Sequence, residues 1–307
     1  MNIAIIGDSF PQSLLLNNGG YPHLLFLESE SLLKKNINLK VYADSGIRLS
    51  NIKELFDDEF YNTKWDYIIL HCGNFEAFPS ISENAKKIIP KRWVKEDLRH
   101  RLKYRNKITE ISFTLKQELR RVFVTKLGIQ YKTEKKQYEF EYNNIIELIR
   151  KEISYNNFFA ISLGDIDSKI NPGYKDILDG YNEVIKKVCK EQNINIIDVS
   201  KLKKLSTHYI YTKDGWHWNE HGHSIVFSLI YKKIFGVDIS QKVPFYTSFT
   251  GLENEDNKER KLIKPILNKG MRLIEIPLLY LYLFYFKKIR ITKSLATSFS
   301  GRKRELD

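Results

Sequence analysis

Short, nearly unbroken apolar runs recur through the first 240 residues, separated by amphipathic or helix-prone stretches. Asn2–Ile6 stops at Gly7-Asp8-Ser9, Asn38–Tyr42 stops just before Ser45-Gly46, and Trp65–Leu70 runs into His71-Cys72-Gly73-Asn74. Phe158–Leu163 and Ile194–Val199 complete the set. Runs of this length, closed by Gly-containing turns, predict buried strands. Apolar residues at helical spacing predict helices over 24–35, 49–56, 143–154, 174–192 and 219–235, and a long helix-prone stretch covers about 84–128. Strands that are continuously apolar and alternate with helices predict a parallel sheet covered on both faces. In such sheets ligands bind beyond the carboxyl ends of the strands. The residues at those ends are therefore the informative ones: Asp8 and Ser9, Gly46, and Gly73 with Asn74.

Composition narrows the class. The chain has 307 residues, 42% hydrophobic and 28% charged, as in ordinary globular proteins, which excludes a mostly disordered, collagen-like or polytopic membrane protein. Two cysteines, Cys72 and Cys189, make no disulfide framework and point to a reducing compartment. The N-terminus has no basic n-region and a short apolar run, so it does not read as a signal peptide, and a cytoplasmic location is expected.

The net charge of +13 is uneven. Residues 86–136 hold 17 Lys+Arg against 5 Asp+Glu, and 257–307 hold 13 against 4, while the remainder is mildly acidic. Such segments are solvated helix faces or surfaces for anionic partners. The tail, 241–307, leaves the strand–helix alternation. Its apolar run Leu273–Phe286 contains Glu275 and Pro277 and falls short of the ~20 residues of a membrane span. Flanking Lys and Arg fit an interfacial segment on an anionic membrane, peripheral on its inner face; a docked helix is the plain alternative.

Candidate chemistry sits at the strand ends. A Ser directly after a buried strand, in a Gly turn, presents its Oγ at the sheet edge, although most such residues simply cap the next helix. A Ser nucleophile needs a base, and the base needs a group that fixes its tautomer. In Asp214-Gly215-Trp216-His217, Gly215 permits a turn that brings the carboxylate back to the imidazole. An acyl-transfer site also needs oxyanion donors. The backbone N–H of Gly46 and the side-chain amide of Asn74 are suited to that work, and each alone is an ordinary turn residue.

Taken together, Ser9, Gly46, Asn74 and His217 resemble the S, G, N and H of the SGNH hydrolase superfamily, also called the GDSL family. The resemblance covers about residues 1–236 through short blocks: Gly7-Asp8-Ser9, Gly46, Gly73-Asn74 and Asp214 to His217, continued by Asn219 and Gly222-His223. Two departures stand out. Phe10 replaces the usual Leu, and the third block reads Gly73-Asn74-Phe75-Glu76 where Gly-x-Asn-Asp is usual.

The resemblance implies a flavodoxin-like α/β/α sandwich with a central five-stranded parallel sheet over 1–240; the stretch at about 77–155, longer than a minimal member needs, reads as a basic helical insertion, and 241–307 as a basic C-terminal tail. It implies Ser9 as nucleophile, His217 as base, Asp214 as its partner, and an oxyanion hole from Ser9, Gly46 and Asn74. The expected reaction is removal or transfer of an ester-linked acyl group, acetyl above all, on a carbohydrate such as a cell-surface polysaccharide or its precursor. No cofactor and no metal are expected. The alternatives are a polysaccharide O-acetyltransferase and an inactive accessory protein with the same fold.

Other readings are weaker. His217-Trp218-Asn219-Glu220-His221 fits an inverted zinc-protease motif, but no third ligand is placed and the front half of the chain goes unexplained. His221 and His223 are expected on a helix face at the mouth of the site, His71 as a satisfied buried residue, and Cys72 as a small core residue. Basic and aromatic residues interleave at Lys91–Trp93 and Arg99–Arg105, without any nucleic-acid-binding fold motif; the insertion is better read as a lid or substrate platform.

Overall fold

The computed structural model describes residues 1–13, 16, 20–33, 36–78, 80–81, 129–153, 155–171, 173–206, 209–212 and 214–240. The helix-prone stretch 84–128, most of the basic segment 86–136, the tail 241–307 and its run 273–286 lie outside them.

Five parallel strands form one sheet in the order β2-β1-β3-β6-β7: β1 Asn2–Gly7, β2 Asn38–Ala43, β3 Tyr67–His71, β6 Phe158–Ile161 and β7 Asn195–Ile197. The three central strands are buried almost throughout, whereas β2 and β7 are half-buried edges. Each apolar run thus became a strand of the sheet: β1 and β2 run one residue further, β3 is shifted toward His71, and β6 and β7 are shorter than their runs. This is the α/β sandwich that the hydrophobic pattern predicts.

Among the described residues the α-helices are α1 Tyr21–Leu33, α2 Asp58–Asn62, α3 Asn74–Ala77, α4 Lys135–Ile149, α5 Tyr174–Glu191 and α6 Glu220–Phe235, with a 3-10 helix at Leu49–Leu55. The strand order reverses direction after β2. Right-handed crossovers therefore put α1 on one face and α4 and α5 on the other. The contacts agree: α1 packs on α6, α4 on α5, and the 3-10 helix on α4.

Helix α4 differs from expectation. It begins at Lys135 rather than Asn143 and ends at Ile149. Its buried face is Tyr138, Tyr142, Ile145, Ile146 and Ile149, at helical spacing. The chain leaves the body through β4, Ser80–Ile81, which pairs antiparallel with β5, Ile129–Gln130. That ribbon holds the two ends of the intervening segment together. Residues 135–149 therefore belong to the sheet-covering layer. Among the described residues no helix is long and apolar enough to cross a membrane. Cys72 and Cys189 are free and buried.

Candidate active site

The Gly-Asp-Ser turn leaves β1 where the sheet is most crowded. A Cβ at Gly7 would stand 2.0 Å from the His71 carbonyl oxygen on β3, so only glycine fits. Beyond it, Ser9 keeps 9% of its surface exposed.

His217 arrives from a self-closed turn. Tyr211 and Trp218 form an antiparallel bridge, and the Thr212 N–H donates to the His217 carbonyl at 2.7 Å. Inside this turn Asp214 is saturated. Its Oδ1 accepts from the N–H groups of Trp216 (2.7 Å) and His217 (2.9 Å) and from the Thr212 hydroxyl (2.8 Å), while Oδ2 lies 2.6 Å from His217 Nδ1. Burial pushes the Asp214 carboxyl up, but the imidazole and these donors more than offset it and hold it below the usual range. The carboxylate only accepts, so Nδ1 carries the imidazole proton and Nε2 its lone pair. Ser9 Oγ stands 3.0 Å from Nε2 and donates to it. The structure thus joins Ser9, His217 and Asp214 in one hydrogen-bonded chain across 208 residues. Immediately after, Asn219 caps α6 by accepting from the Gly222 N–H at 3.0 Å.

Gly46 and Asn74 stand on the loops after β2 and β3. Gly46 takes φ +80° in a turn closed by the Ile47 N–H and the Asp44 carbonyl. Gly73 takes φ +94° and sets Asn74 at the start of α3. A Cβ at Gly73 would also meet the Tyr138 hydroxyl at 2.1 Å. Asn74 is nearly buried, and Asp8 holds it: Oδ2 accepts from the Asn74 N–H at 2.9 Å and Oδ1 from its side-chain amide at 3.2 Å. Burial raises the Asp8 carboxyl to about 6 against these donors. The adjacency of Gly73 and Asn74 is therefore compatible with an Asn side chain turned toward the Gly-Asp-Ser loop.

Several partners escaped the sequence reading. Thr212 supports Asp214 from two residues upstream. Phe10, the departure in the first block, wedges between His217 and Trp218, with ring centroids 5.2 and 4.5 Å away. Glu76 is 1% exposed and accepts from the Leu49 N–H at 2.8 Å through Oε1, while Oε2 has no partner among the described residues. Burial raises its carboxyl to about 7. Spacing within the blocks signals Thr212, but nothing local signals the link from Glu76 to Leu49.

His221, His223 and His71 do not join the hydrogen-bonded chain of Ser9, His217 and Asp214. His223 and His221 are buried rather than lining its mouth, because α6 packs that face on α1 and the preceding loop. His223 Nδ1 accepts from the Tyr21 N–H at 3.2 Å, and His221 Nε2 lies 2.7 Å from the Ser206 hydroxyl. His217 and His221 thus have different partners. Among the described residues no group of three or more His, Cys, Asp or Glu is placed to hold a metal. His71 is only half satisfied: Nδ1 meets the Tyr21 hydroxyl at 3.1 Å, Nε2 has no partner among the described residues, and burial lowers the imidazole to about 3. Cys72 is core, its thiol pushed up by burial.

No family model and no curated protein matches the sequence. Solved structures do match the fold. A lipase/acylhydrolase from Enterococcus faecalis is 16% identical with a TM-score of 0.51, the match covering 76% of this chain and 95% of that one. An acetylxylan esterase from Geobacillus stearothermophilus is 15% identical with a TM-score of 0.51, over 76% and 94%. An alpha/beta hydrolase enzyme from the metagenome of Lake Arreo, Spain, gives 15%, 0.51, 76% and 94%. At these identities the likeness shows architecture alone: the chain shares the α/β fold of these hydrolases, built on one five-stranded parallel sheet, and that is the architecture that the sequence blocks imply.

Proposed function

We propose that the protein is a serine ester hydrolase that removes O-acyl groups, above all O-acetyl, from a carbohydrate. The hydrogen-bonded chain Ser9–His217–Asp214, standing beyond the carboxyl ends of the sheet, carries this reading. Ser9 Oγ attacks the ester carbonyl as its proton passes to His217 Nε2. The carbonyl oxygen becomes an oxyanion, received by the N–H groups of Ser9 and Gly46 and the Asn74 amide. Collapse breaks the ester bond, and His217 returns the proton to the leaving alcohol. Water then attacks the acyl-enzyme, giving up its proton to His217, and the carboxylic acid leaves as Ser9 regains its hydrogen. Asp214 holds the imidazole in the tautomer that accepts from Ser9 and stabilises the imidazolium.

The low-identity likeness to an acetylxylan esterase supports a carbohydrate ester as the substrate class. The intact hydrogen-bonded chain favours a working enzyme over an inactive accessory protein. A polysaccharide O-acetyltransferase uses the same residues with a sugar hydroxyl in place of water. The basic tail 257–307 suits an anionic membrane surface, consistent with a cytoplasmic protein peripheral on the membrane's inner face.

The test is hydrolysis of a chromogenic acetyl ester and of acetylated xylooligosaccharides by the wild type and Ser9→Ala. Turnover by the wild type alone is expected, with Ser9→Ala at least ~10³-fold slower. Equal activity of the two proteins sinks the reading. Acetylated sugar product in the presence of an added glycan acceptor separates transfer from hydrolysis.

A further inference from the structure

Of the three oxyanion donors in the reading above, two sit on separate loops. Gly46 follows β2, on the edge of the sheet, and Asn74 follows β3; β1 runs between these strands. An oxyanion hole stabilises charge only if its donors are held at hydrogen-bond distance before the charge forms. The two strands are laddered only through β1, so no direct backbone pairing fixes the spacing of their loops. Something else has to tie them.

One side chain does so. Glu76 lies in α3, whose first residue is Asn74. Its Oε1 accepts from the N–H of Leu49 at 2.8 Å, across 27 residues. Leu49 opens the 3-10 helix that directly follows the Gly46 turn, and Arg48, at its N-cap, makes no side-chain cap. Leu49 is itself fully buried, so the anchored end cannot drift. On the other side of Asn74, Asp8 grips both the backbone and the side-chain amide. We propose that Glu76 is a positioning residue for the oxyanion hole: it ties the Gly46 loop to the Asn74 turn and never touches substrate. The carboxyl is buried with one oxygen unpartnered among the described residues, an expensive arrangement for a residue that merely caps a short helix.

This proposal rests on the ester-hydrolase reading, so its test measures both. Wild type, Glu76→Ala, Glu76→Gln and Glu76→Asp are assayed on a chromogenic acetyl ester. Each is also titrated with phenylboronic acid, whose tetrahedral adduct on Ser9 places an oxygen in the oxyanion hole. Glu76→Ala is expected to lower kcat about 10- to 100-fold, below the roughly 10²- to 10³-fold of deleting a donor. KM should stay within about twofold, because ground-state binding is untouched. Boronate affinity should fall with kcat. Glu76→Gln keeps an oxygen for the Leu49 N–H and recovers most of both.

If Glu76→Ala does not fold, Glu76→Asp carries the test. Its shorter side chain reaches Leu49 only by pulling the loop, so an intermediate kcat loss at constant KM is expected. A capping role alone predicts a lower Tm with kcat and boronate affinity unchanged, and that result overturns the proposal while leaving the hydrolase standing. Glu76→Gln as impaired as Glu76→Ala overturns it as well. A wild type that neither hydrolyses the ester nor binds boronate overturns the hydrolase reading and takes the proposal with it.

Discussion

The two halves of the candidate site are built on opposite plans. The acid–base half is local: Asp214 and His217 share one turn, and all the donors to Asp214 Oδ1 come from residues 212–217. The donor half is dispersed. Ser9, Gly46 and Asn74 come from the ends of three strands, and buried carboxylates link them across 27 to 66 residues. The electrostatics divide the same way. Asp214 is held below the ordinary carboxylate range, whereas Asp8 and Glu76 are raised to about 6 and about 7. A local turn can saturate its carboxylate. At Asp8 and Glu76 the cost of burying the charge outweighs the donors and favours the protonated form.

This contrast predicts how each half fails. Asp214→Asn should strike hardest. The fold of the turn survives, because an amide oxygen still accepts from Trp216, His217 and Thr212. The imidazole loses its fixed tautomer, and kcat on an acetyl ester should fall by about 10⁴-fold with little change in Tm. A loss below tenfold would mean that His217 is oriented by something other than Asp214.

Asn74→Ala comes next. It removes an oxyanion donor and should lower kcat by roughly 10²- to 10³-fold. Unlike Asp214→Asn, it should also lower Tm, because Asp8 loses both of its Asn74 donors only if the turn shifts, and loses the amide in any case. Equal Tm values for Asn74→Ala and the wild type would remove the linkage argued for this half.

Gly73→Ala tests the backbone beneath Asn74. An alanine at φ +94° is strained by about 1–3 kcal/mol, and its Cβ would also strike the Tyr138 hydroxyl. Both Tm and kcat should drop. Adding Tyr138→Phe removes the nearest atom, so part of the Tm should return while the φ strain remains. No recovery in the double variant would place the whole effect in the backbone.

Legibility in the sequence follows the same divide. Ser9, Asp214 and His217 fall in short contiguous blocks whose combination carries the family resemblance, and the strand that leads into Ser9 is a continuous apolar run. The parallel sheet also followed from strands without alternation, whereas the strand order did not. Helix α4 was misplaced at its start because Lys135–Glu141 is mostly charged. Its anchors Tyr138 and Tyr142 are aromatic residues whose hydroxyls hide their core role, and both are fully buried. His221 and His223 read as mouth residues in the sequence because nothing in the chain shows that α1 covers that face. Glu76 was visible as a departure from the family block, but its partner Leu49 is chosen by the packing of the 3-10 helix on α4, which no local pattern encodes.

The smallest effect is the one that isolates the raised carboxyls. Glu76 has a folded pKa of about 7, above the ordinary 4.5, so the native state keeps a proton that the unfolded chain gives up first. Its contribution is fully present below about pH 4.5 and is lost as pH rises through 7. Asp8 acts in the same direction from 3.8 to about 6. His71 and His223, lowered to about 3, act oppositely and cost stability as pH falls below 6.5. A Tm–pH curve of the wild type alone therefore mixes opposing slopes. Subtracting Glu76→Gln cancels all but one group, since Gln does not ionise. The variant should gain on the wild type from pH 5 to about pH 7 and level off by pH 8, the whole change being a few degrees at most. Asp8 and Glu141 face the same carboxyl, so raising the salt concentration should shrink the gap little for the buried Asp8 and more for the outer Glu141. A gap that stays flat with pH would mean that Glu76 is already ionised at pH 5, and that the dispersed half is no more pH-sensitive than the local one.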